Sequence, residues 1–153
     1  MPVGEICNRE VVFAARTTTI VEAAQLMRRY HVGDLVVADE VEGRRVPVGM
    51  VTDRDLVVGV LGREQPFAAC TVDAVMSAGV VCVPETAGLI ETIQLMRSHG
   101  VRRLPVVDAN GALIGILAAD DLLDLLAEEL SALARIGRRG QEREVRARLP
   151  RHD

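Results

Sequence analysis

An α/β (α+β) protein of two β-α-β-β-α repeats, packed through their sheets about an internal pseudo-twofold axis and followed by a C-terminal helix, is what the sequence predicts. Three observations lead there. The chain repeats itself at a constant offset. Within each repeat, short β-branched runs alternate with one helical apolar pattern. Apolar side chains make up 49% of the 153 residues, enough for a packed core and against disorder.

The repeat is read by laying Val3–Asp39 over Val72–Asp108, an offset of 69, at which 13 of 37 positions are identical. The best run is "EAAQLMR" (22–28) over "ETIQLMR" (91–97). After the aspartate the offset falls to 66, so the three missing residues belong to a hairpin loop. In each copy a first strand is expected at 10–14 or 80–83 and a helix opening near Thr17–Thr19 or Thr86. In copy one Ile20, Ala23, Ala24, Met27 and Tyr30 keep helical spacing. Then come strands at 34–38 and 47–51, or 103–107 and 113–117, and a closing helix from Asp53 or Asp120. Asn110-Gly111 suits a type I′ hairpin turn. The predicted organisation is repeat one at 3–61, a connector at 62–71, repeat two at 72–128 and an Arg-rich helical tail at 129–153. A unit of about 60 residues leaves one sheet face bare, so neither copy is expected to fold alone. The tail carries Leu122, Leu126, Leu130 and Leu133 on one stripe, with Gly137 and Gly140 weakening the helix and a basic, frayed end beyond.

Composition bounds the function. Tyr30, Phe13 and Phe67 are the whole aromatic set, which argues against a platform that stacks RNA bases on rings. Every basic side chain is Arg; residues 1–134 carry 11 Arg against 19 acids, and residues 135–153 carry 7 against 3. An acidic body argues against broad nucleic-acid binding by the folded core. Cys7, Cys70 and Cys82 lack C-x-x-C spacing, which fits a reducing compartment and no metal site. The N-terminus does not read as a signal peptide and no apolar run spans a membrane, so a cytoplasmic protein is expected. No nucleophile elbow, P-loop or zinc-protease motif occurs, so no catalytic residue is proposed and the protein is expected not to be an enzyme.

At this point the residues resemble a family. "Q-L-M-R" in each first helix, "V-R-R-L-P-V-V-D" (101–108) and the turn "G-M-V-T-D-R-D-L" (49–56) are similar to a tandem pair of cystathionine β-synthase (CBS) domains, a Bateman module, over roughly residues 3–128. The resemblance implies a regulatory module that binds an adenosine-containing ligand such as AMP, ADP, ATP, NAD or S-adenosylmethionine, requires no other cofactor, and pairs as a homodimer. Here it would act on a separate, unidentified protein.

The turn Thr52-Asp53-Arg54-Asp55 is the leading candidate. The first N–H groups of its helix offer a phosphate site, the Thr52 hydroxyl adds a donor, and Asp55 can accept from a ribose cis-diol. The same pair also reads as a capping box. In copy two Asp121 is kept, but Ala118 replaces the threonine and Asp120 adds a charge, so unequal pockets are expected. Arg102 and Arg103 stand where copy one has Gly33 and Asp34, and suit phosphate or plain solvent. Thr17 and Thr18 line the pocket or cap a helix. Val12, Val32, Val80 and Val101 sandwich an adenine or fill the core. His31 and His99 are expected to face helix C-termini. The alternative to nucleotide sensing is an adaptor dimer with decayed pockets, working through its Arg-rich tail; a third reading has that tail bind nucleic acid.

Overall fold

The computed structural model describes residues 1–64 and 66–148. It divides into two units, Met1–Ala118 and Ala119–Asp153. In the first, β1 (Phe13–Ala14), α1 (Ile20–Tyr30), β2 (Asp34–Val41), β3 (Arg44–Thr52) and α2 (Asp53–Gly59) make copy one. Copy two supplies β4 (Ser77–Ala78), β5 (Val83–Pro84), α3 (Leu89–His99), β6 (Arg103–Val107) and β7 (Leu113–Ala118). The second unit contains α4 (Ala119–Arg148), which begins where the closing helix of copy two was expected.

The strands form sheets of order β1-β2-β3-β4 and β5-β6-β7. In both, a short first strand runs parallel to the second and the second pairs antiparallel with the third. A bulge falls between Val37 and Ala38 in one copy and between Val106 and Val107 in the other, the same position at the offset of 69.

The copies exchange their leading segments. β4, from copy two, completes the sheet of copy one by pairing Ser77 with Met50 and Ala78 with Gly49. The counterpart is a bridge between Asn8 and Ile116. Val3 N–H donates to Ala87 O and Gly4 N–H to Glu85 O, at 2.9 Å each, while Val72 N–H donates to Thr18 O at 2.8 Å. Val72 accordingly sits in the core of copy one with Ile20, Ala23, Met27, Leu35, Val37 and Val51. Neither sheet is closed by its own repeat, which is why Met1–Ala118 is one unit rather than two.

Two glycines make the exchange possible. A Cβ on Gly49 would lie 2.7 Å from Ser77 O, and one on Gly115 would lie 2.5 Å from Cys7 Sγ and 3.1 Å from Asn8 O. The glycine that opens "GMVT" and "GILA" is the place where the other copy's leader crosses the last strand.

Several expectations are corrected. The first strands are two residues each, Phe13–Ala14 and Val83–Pro84, because only there does the segment run beside the second strand. α1 is capped by Thr19, whose hydroxyl accepts from Glu22 N–H while Glu22 accepts from Thr19 N–H. α3 starts three residues later than Thr86 suggests, with Gly88 as its N-cap. The type I′ turn belongs to the other hairpin: Glu42 and Gly43 both have positive φ, 50° and 75°, between the paired residues Val41 and Arg44. At Asn110-Gly111 only Gly111 is left-handed, and the Asp108 carboxylate holds the turn by accepting from Asn110 and Ala112 N–H. His31 is itself the left-handed C-cap of α1, and His99 Nδ1 lies 3.1 Å from Leu95 O at the end of α3. α4 runs unbroken through Gly137 and Gly140. The expectation for residues 149–153 lies outside the described residues.

Candidate functional site

Within the first unit a cleft of about 390 Å³ opens where the two copies meet, inside the range of about 300–1,000 Å³ usual for small-molecule sites. Copy two supplies Ser77–Val81 and Val101–Arg103; copy one supplies Asp34, Met50 and Thr52. The wall is thus apolar at Met50, Val80, Val81 and Val101, and carries charge at Asp34, Arg102 and Arg103.

Each polar group arrives through its backbone. Asp34 and Arg103 are the first residues of β2 and β6 and are equivalent under the repeat. They meet: Arg103 Nη1 donates to Asp34 Oδ2 at 2.5 Å. In a perfect duplicate these positions would set like charge against like; the divergence to Asp and Arg makes the contact attractive. Arg103 keeps 44% of its side-chain exposure and Asp34 only 12%. Burial pushes the Asp34 carboxyl above its ordinary range; Arg103 pulls it partly back, and the charge of Asp53 adds to the rise.

Thr52 ends β3 and caps α2. Its hydroxyl accepts from Asp55 N–H at 3.1 Å, and Asp55 Oδ2 accepts from Thr52 N–H at 2.9 Å. The capping box is therefore present, and it keeps the hydroxyl's own proton available to a ligand. The helix terminus is not available in the same way. Asp53 N–H donates to Gly33 O at 2.9 Å, Arg54 N–H to the Asp53 carboxylate at 2.7 Å, and Asp55 N–H to Thr52. At the expected phosphate site the first three donors are thus each engaged, on a helix of only seven residues, and a phosphate there would have to displace Gly33 O, the Asp53 carboxylate or the Thr52 hydroxyl.

The structure brings Thr52, Asp34, Arg102 and Arg103 together with Val80 and Val101, and leaves the other candidates elsewhere. Asp55 lines a separate groove with Arg54, Arg63 and Met76. Thr18 accepts from Ala15 N–H at 3.0 Å, closing the turn that contains Thr17, and neither lines the cleft. Val12 and Val32 line a second depression of about 610 Å³ with Glu10, Val11 and Tyr30. At the offset of 69, Val11, Val12 and Val32 correspond to Val80, Val81 and Val101, so this is the symmetry counterpart of the first cleft. Asp121 stands in the first turn of α4. Sequence reasoning missed Met50, Val81 and the segment Ser77–Gly79. The repeated glycine at 49 was the available signal, since it marks where Ser77 crosses.

The model of the CBS domain family matches residues 3–62 and 72–128. The chain belongs to the CBS-domain family. This CBS pair is 37% identical over 123 residues to the protein MK0525 of Methanopyrus kandleri, covering 80% of this chain and 61% of that relative's length. It is 35% identical over 120 residues to the CBS domain-containing protein YhcV of Bacillus subtilis, covering 78% of this chain and 81% of YhcV. Among solved structures, CBSX2 of Arabidopsis thaliana in complex with AMP superposes with a TM-score of 0.69 at 25% identity, covering 83% of this chain and 96% of that one. The pair also resembles, over 78% of its own length, 22% of an inosine-5′-monophosphate dehydrogenase of Methanocaldococcus jannaschii.

Proposed function

We propose that this CBS pair is a regulatory module that takes one adenosine-containing nucleotide in the cleft at Asp34, Thr52, Arg102 and Arg103 and passes the occupancy to a separate protein. The observation that carries it is one cleft with an apolar wall at Met50, Val80 and Val101 and two arginines at its rim. The wall accepts a base by burial, and guanidinium groups suit phosphate through paired N–H donors. CBSX2, a protein of the same family, binds AMP.

Each group has a role. Arg103 exchanges its bond to Asp34 for one to phosphate. The Thr52 hydroxyl donates to the ligand while accepting from Asp55 N–H. Asp55 works through Thr52, holding its backbone, rather than meeting the ribose. The role asks for no catalytic group, and the match to a dehydrogenase over 22% of its length concerns the CBS part of that enzyme.

Isothermal titration of AMP, ADP, ATP, NAD and S-adenosylmethionine into the full chain tests the proposal. Binding of at least one, weakened in Arg103→Ala, is the expected result. No heat with any of the five at millimolar ligand overturns it.

A further inference from the structure

α4 carries a second feature, independent of nucleotide binding. From Ala127 to Arg148 every residue of this helix is exposed. Its large apolar residues stand open too: Leu130 67%, Leu133 63% and Ile136 67%. Leu123, Leu126, Leu130, Leu133, Gly137 and Gly140 follow one another at steps of three and four, the heptad spacing of a helix-pairing seam. Glycine is among the poorest helix formers, yet both glycines of α4 fall on that seam.

Charge is segregated along the same helix. Asp120, Asp121, Asp124, Glu128 and Glu129 lie between 119 and 129 with no arginine among them. Arg135, Arg138, Arg139, Arg143, Arg146 and Arg148 lie beyond, with Glu142 and Glu144. A parallel partner of the same sequence would set acid on acid and leave each glycine opposite its own copy, a hole in the seam. An antiparallel partner reverses both faults.

We propose that α4 is the interface for a second copy of this chain, packed antiparallel about a twofold axis near Arg135. In that register Leu130 of one helix fills the space over Gly140 of the other, and Leu133 that over Gly137. Ile136 meets its own copy at the axis, and Glu129 faces Arg143 on the flank. Glycine at these positions lets the backbones approach and leaves room for leucine. One helix supplies both halves of the match, so the chain is complementary to itself.

Sedimentation equilibrium of the full chain and a charge exchange read this out. Glu129→Arg turns two attractive pairs repulsive in each dimer and is expected to weaken association about tenfold. Glu129→Arg combined with Arg143→Glu restores it. Gly137→Leu raises helix propensity but fills the space meant for Leu133, and also weakens the dimer. In a background with Cys7, Cys70 and Cys82 replaced by alanine, Ile136→Cys cross-links between chains on oxidation more readily than Leu133→Cys. Positions 129, 133, 136, 137 and 143 are all exposed, so the fold survives the changes on α4, and a thermal melt of the cysteine-free background checks that it folds before cross-linking. A monomer at tens of micromolar protein overturns the proposal. So does a dimer unmoved by Glu129→Arg, which would locate the interface elsewhere, or preferential cross-linking at position 133, which would make the pair parallel.

Discussion

Arg103 lies within reach of two anions, a carboxylate that is present and a phosphate that would arrive. Asp34 is mostly buried and its carboxyl is raised, by burial first and by Asp53 in addition, with Arg103 offsetting part of the rise. A raised carboxyl favours the protonated folded state. Its contribution to stability is therefore complete below the unfolded carboxylate range and is lost as pH rises through the folded value. At neutral pH the ionised Asp34 is a liability. Asp34→Asn is expected to unfold at a higher temperature than wild type at pH 7, with the gap closing toward pH 3 as wild-type Asp34 takes up its proton; burial, Arg103 and Asp53 set the range. A gap that widens toward acid pH would show that Arg103 outweighs burial. The same variant leaves Arg103 with a neutral neighbour, so nucleotide affinity should rise. Arg103→Ala should lower it by about 1.5–3 kcal/mol, the range for hydrogen bonds to charged groups, as read by titration. The arginines and Asp34 were legible because the repeat sets them at equivalent positions. The engaged amides of α2 were not: Asp53 N–H is taken by Gly33 O, across a gap of 20 residues that periodicity does not report.

Element by element, local chemistry was readable and crossings were not. The strands at 103–107 and 113–117, the Thr52 cap and the α1 pattern stand close to where alternation and capping rules put them. The first strands contracted because a strand needs a partner, and position in space decides that. The turn types changed for a similar reason. Glu42 adopts positive φ because a two-residue loop between Val41 and Arg44 demands it, while Asp108 gives the other hairpin a side-chain bond that Asn110 does not need to replace. Glycine frames carry a testable consequence. Gly49→Ala puts a methyl 2.7 Å from a backbone oxygen of Ser77, which cannot rotate away. The crossing must shift, at a cost of about 1–3 kcal/mol by the range for overpacking. Gly115→Ala meets chiefly the Cys7 side chain, which can turn, so it should cost less. Urea unfolding of the two variants checks the order; a more stable Gly49→Ala would mean that the leader is not held there.

Duplication explains the molecule as a whole, and so does its imperfection. Because Val72 is built into the core of copy one, and Val3 and Asn8 bond to copy two, a fragment of either repeat lacks part of its sheet. Residues 1–64 alone should give no cooperative thermal transition, and mixing them with 66–148 should restore one; a folded single fragment would refute the exchange. The same duplication yields two symmetry-related recesses of unequal chemistry. The second is the larger, about 610 against 390 Å³, so size favours it. Charge does not: its described lining carries Glu10 and no arginine, while the first has Arg102 and Arg103. A nucleotide brings phosphate into either recess, and a buried anion without a cation is far costlier than a loosely filled volume. Charge should therefore decide. Titration of the nucleotide that binds is expected to give one site per chain, and a crystal of the complex to show it beside Thr52 and Arg103, with the recess at Val12 and Val32 empty. The guanidinium of Arg45 is stacked on the Phe13 ring there, 3.7 Å from its centroid, and is not itself a lining residue, so Glu10→Arg would add a cation to the lining and should raise the stoichiometry toward two. Two equal sites in the wild-type chain, or one site lined by Glu10, would mean that the apolar wall rather than the arginines selects the ligand.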